Sequence, residues 1–162
     1  MSSEAQVDFD RYRLRPLLDS GSSMFQLVSY EWERVDGDLI NAALRMDRKL
    51  YKWSGARRLQ TWNMQESRFD VVDEMMPVEM LEWFRDLDEK AILLLEDGHM
   101  LLDQSNTERG FIIWWLRELA RMTKSDNKCM ILGTVTPTTI LELDKEMPII
   151  ELDLPRRHTL GI

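Results

Sequence analysis

The chain has 162 residues, 44% of them hydrophobic and 31% charged, which suits one folded domain with a single core and not a disordered segment. Its net charge of -8 excludes wholesale binding to nucleic acid or to an anionic membrane, because phosphates are repelled before contact; the basic pairs Arg57-Arg58 and Arg156-Arg157 do not reverse that. No apolar stretch is long enough to span a bilayer, Met1, Ser2, Ser3 and Glu4 are polar where a secretory signal needs a basic start and an apolar block, and the lone Cys129 can form no internal disulfide, so a cytoplasmic, reducing location is the expectation.

One domain is expected over 1–162, with residues 1–7 a flexible lead and residues 156–162 a tail or the start of a linker. Phe9, Tyr12, Leu14, Leu17 and Leu18 have loose helical spacing, but Pro16 would break an interior turn, so a short or kinked helix over residues 8–20 is expected. Residues 24–30 predict a strand, followed at once by a helix over residues 31–46, where Trp32, Val35, Leu39, Ala43 and Met46 recur at helical spacing. A second strand is predicted at 49–53. Residues 59–62 and 68–72 lack a helical period and read as a small hairpin or edge ribbon. Pro77 suits a first helical turn, and Met80, Leu81, Phe84 and Leu87 form one apolar stripe on a helix running to about Leu87.

The stretch from Ala91 to Leu95 organises the rest, because a run with no polar residue on either face marks a strand buried on both sides. It ends in Glu96 and Asp97, at the carboxyl edge where open α/β sheets place their ligands. Residues 98–106 read as a loop or a broken turn, and Thr107 as the cap of a helix reaching about Met122. On that helix Ile112, Leu116, Leu119 and Trp115 face the core, while Trp114 projects with Arg117 and Arg121. Residues 125–127 stop it. A strand at 128–134, a short helix at 137–143 and a last strand at 148–152 complete the order. Strands alternating with helices imply right-handed crossovers and a three-layer α/β fold with a mainly parallel, five-stranded sheet and helices on both faces.

This order resembles a P-loop-NTPase-like (AAA/RecA-like) core: a first strand and helix, a late strand ending in Glu96-Asp97, a next strand ending at Thr134, then Thr136-Pro137-Thr138-Thr139 and a closing strand before Leu154-Pro155. More closely, it is similar to the amino-terminal, degenerate AAA-like domain of the AAA-domain proteins that cyanobacteria and algal chloroplast genomes encode under the label "hypothetical chloroplast open reading frame". The pieces that carry the likeness are the acidic helix start from Ser29 to Val35, the Pro77-led helix, and Asp97-Gly98-His99; together they span roughly residues 14–156. The resemblance implies an accessory domain that precedes a true ATPase module, either as part of a longer protein or as a stand-alone relative.

A Walker A loop needs glycines to wrap the phosphates, a lysine to reach them and a Ser or Thr for magnesium. After the first strand this sequence has Ser29-Tyr30-Glu31-Trp32-Glu33-Arg34, without glycine or lysine and with two carboxylates where phosphates would sit. Residues 135–147 contain no arginine that could act in trans on a neighbouring site. Glu96 and Asp97 are therefore read as a Walker B-like remnant in a domain that is no enzyme on its own and takes no nucleotide or other cofactor. The expected partners are proteins, an AAA+ ATPase module or neighbouring subunits, met at a surface containing Trp114, Arg117 and Arg121; the alternative for that Trp is shielding by the guanidinium groups.

Two rival readings stay open at this level. One is a metal-dependent hydrolase using Glu96, Asp97 and His99, with Asp103 nearby; against it, the acids are ordinary caps and His99 a partly buried neighbour. The other is a small-ligand module at the same strand edge. Cys129 reads as a small core residue, Thr134 as a sensor position with no phosphate to sense, and the eleven methionines as core filler.

Overall fold

A computed structural model describes residues 23–122, 128–140, 143 and 147–151. The expected helix at 8–20, the stop at 125–127 and the tail at 156–162 lie outside the described residues. The elements are β1 (Met24–Val28), α1 (Trp32–Met46), β2 (Lys49–Ser54), β3 (Arg58–Asn63), β4 (Arg68–Asp73), α2 (Pro77–Asp86), β5 (Ala91–Leu95), α3 (Gly98–Leu101), α4 (Arg109–Met122), β6 (Lys128–Thr134) and β7 (Ile149–Glu151).

Among the described residues the sheet has seven strands, in the order β4-β3-β2-β5-β6-β1-β7. β2, β5, β6, β1 and β7 run parallel, and β3 and β4 extend the β2 edge as an antiparallel ribbon. The expected count of five is corrected to seven. The ribbon joins the main sheet because Tyr51 to Ser54 pairs with Thr61 to Arg58, where a detached hairpin would leave the β2 edge without a partner.

The strict two-residue alternation of a strand sorts the core into two halves. Ala91, Leu93 and Leu95 of β5 face Met80, Leu81 and Phe84 of α2 and Ile112, Leu116 and Leu119 of α4. Ile92 and Leu94 face the other way, onto Val35, Leu39, Ala42 and Ala43 of α1. That is a three-layer arrangement, and all five residues of β5 are at most 1% exposed. Among the described residues, no helix is long and apolar enough to cross a membrane.

Two local expectations are corrected. Residues 137–140 are not helical. The buried Gln26 side chain takes both backbone groups of Thr138: its amide donates to the Thr138 carbonyl at 2.7 Å, and its oxygen accepts from the Thr138 N–H at 2.8 Å, so neither is free for a helix. At the start of α4 the Asn106 side chain, and not Thr107, accepts a backbone N–H, that of Glu108 at 3.1 Å, while its amide donates to the Leu101 carbonyl at 2.7 Å. This double bond fixes the turn from α3 into α4.

Candidate functional site: the carboxyl edge and the face of α4

The carboxyl ends of β1, β5 and β6 converge where the chain turns out of β1 into α1. Ser29 closes that turn: its N–H donates to the Thr134 carbonyl at 3.0 Å, and its hydroxyl accepts the Glu31 N–H at 3.0 Å. Glu31 pairs with Arg34 at 3.5 Å on the same turn, and Glu33 is exposed in the first turn of α1. Trp32 then lies over the end of β6. A Cβ at Gly133 would come within 2.6 Å of Trp32 Cη2 and 3.2 Å of the Leu95 carbonyl, so only glycine lets the indole rest on the strand. Gly98 serves the same edge, since a Cβ there would fall 2.3 Å from Leu132 Cδ1. Thr134, fully buried, donates its hydroxyl to Gln26 Oε1 at 2.9 Å.

Gly133→Ala is therefore expected to cost about 2 kcal/mol, as overpacking against a fixed indole and a strand carbonyl does. Combined with Trp32→Ala its cost should be clearly smaller than in the wild type, because the clash has lost its partner. Urea unfolding of the four proteins measures this, and strict additivity would show that the two residues do not meet.

Glu96 and Asp97 part company. The Glu96 N–H continues the sheet by donating to the Trp53 carbonyl at 2.9 Å. Its carboxylate stands 3.8 Å from the ammonium of Lys52, which also donates to Asp36 Oδ2 at 2.9 Å and lies 4.0 Å from the centre of the Phe69 ring. Lys52 is 4% exposed. Burial pushes the Glu96 carboxyl above the ordinary glutamate range, Lys52 pulls it back, and Asp36 and Asp97 add to the rise. Asp97 is exposed in left-handed backbone, with φ 54°, and starts α3 through its carbonyl, which accepts the Met100 N–H at 2.9 Å. His99 is half-buried with Nδ1 unpartnered, and Asp103 accepts from the backbone and hydroxyl of Ser105. Among the described residues, no group of three or more His, Cys, Asp or Glu is placed to hold a metal ion. Cys129 is fully buried, and its thiol is pushed up to about 12 by that burial, which suits an unreactive core position.

Lys52 and Gln26 were not legible as site residues. Lys52 sits between Tyr51 and Trp53 in a short strand that opens on Lys49, and a lysine there suits a solvated position equally well. The only cue was the pair of acids that a buried cation would require.

The second feature is α4. Trp115 is 8% exposed and packs under the Arg85 guanidinium at 5.0 Å, while Trp114 stands outward at 53% exposure and meets Trp115 edge-on at 5.3 Å. Phe111 is more exposed still, at 69%. With Val78, Thr107 and Gly110 these rings line an open, mainly apolar depression between α2 and α4. Arg117 is half-buried and Arg121 exposed, one and two turns beyond Trp114, outside that lining. Arg85 stacks its guanidinium on Trp115.

The family model described as "SpoVK-like AAA ATPase, N-terminal domain" matches residues 10–152. No curated protein gives a match. With the match running over nearly the whole chain and the sheet built on five parallel strands with helices on both faces, this chain belongs to the SpoVK-like AAA ATPase N-terminal domain family.

Proposed function

We propose that this domain is a non-catalytic, cytoplasmic accessory unit of an AAA ATPase, lacking a Walker A loop and working through protein contact. The observation that carries the reading is the seat of Trp32 on Gly133. In a P-loop ATPase, the turn between the first strand and helix wraps phosphate with backbone N–H groups. Here the Glu31 N–H is already bonded to Ser29, the indole covers the adjoining strand end, and Glu31 and Glu33 bring negative charge to the helix start. An anion approaching this end meets carboxylates, and the positive end of the helix dipole is already satisfied by them.

The neighbouring acids support the same reading. Glu96 occupies the strand-end position from which a P-loop ATPase holds magnesium, yet it faces an internal ammonium. Thr134, which would face phosphate, is turned to Gln26. The exposed rings of Phe111 and Trp114 offer what a contact domain needs, large apolar side chains outside the core. The order of elements also favours the cyanobacterial and chloroplast-encoded AAA-domain proteins as near relatives. Incubated with Mg-ATP, the chain should release no phosphate above buffer; turnover that disappears in Glu96→Gln would overturn the reading.

A further inference from the structure

We draw no further inference here: the strongest candidate, the open apolar depression between α2 and α4 around the exposed rings of Phe111 and Trp114, carries nothing beyond the contact surface already described, because nothing in the structure shows what covers it.

Discussion

Replacing Lys128 with methionine is expected to cost about 3 kcal/mol of stability, enough to threaten a domain of this size. Lys128 opens β6, yet its ammonium is spent on α2. It donates to the carbonyls of Phe84 at 2.7 Å, Leu87 at 2.9 Å and Arg85 at 3.0 Å, and it stands 5.3 Å from the centre of the Phe84 ring. Those carbonyls lie at the end of α2, where the Phe84 carbonyl also accepts the Leu87 N–H at 3.3 Å, and a cation at that end meets the negative pole of the dipole. Methionine keeps the length and the apolar stem of the side chain but removes the donor that the three acceptors share. Lys128 is 3% exposed, so water cannot simply take its place. The loss should appear as a lower urea midpoint with an unchanged slope. A loss below about 1 kcal/mol would mean that the helix end is solvated and that the lysine is ornamental.

Lys52→Met is expected to cost a similar amount, about 3 kcal/mol at neutral pH, and unlike the Lys128 change its cost should depend on pH. The substitution strands Asp36, whose Oδ1 is already buried without a partner, and Glu96 in a poorly solvated place. The sign follows from Glu96. Its carboxyl is held above the ordinary glutamate range, and a carboxyl with a raised folded pKa lends its full stability only below its unfolded pKa, losing it as pH rises through the folded value. Removing the Lys52 charge, which opposes that rise, moves the folded pKa further up. The deficit of Lys52→Met relative to wild type should thus be largest near pH 7 and shrink as pH falls towards about 4.3, the ordinary glutamate value. Adding Glu96→Gln to Lys52→Met should recover part of the loss at pH 7. A deficit that does not change with pH would assign the cost to the lost contact of the ammonium with the Phe69 ring and not to the carboxylates.

How far the sequence carried depends on what each residue reports locally. β5 was legible to the residue because both its faces are covered, so that Ala91 to Leu95 could contain nothing polar. The helix led by Pro77 was legible because Pro77 fixes its start and the Glu79 carboxylate accepts the Met76 N–H at 3.1 Å. The outward Trp114 followed from the period of α4, whose Ile112, Leu116 and Leu119 all reach 0% exposure. What failed was non-local. Pro137 to Ile140 reads as a helix until Gln26, more than a hundred residues earlier, takes the backbone of Thr138. The ribbon of β3 and β4 could be seen as a pair but not as an extension of the sheet, since its attachment is the register of β3 on β2. The roles of Lys52 and Lys128 were hidden because the acids and carbonyls that bury them lie on other elements. At the α4 face the sequence offered Trp114 with two arginines, whereas the rings that stand with it are Phe111 and Trp115, around a glycine that no periodic pattern would mark.

Calorimetric titration of the chain with Mg-ATP asks most directly whether the strand end beneath Trp32 is shut. The expected result is dilution heat alone, with no rise in the thermal midpoint at saturating nucleotide, since a ligand held by the native state must raise it. Saturable heat together with a concentration-dependent rise in the midpoint would show a working phosphate seat and contradict the account.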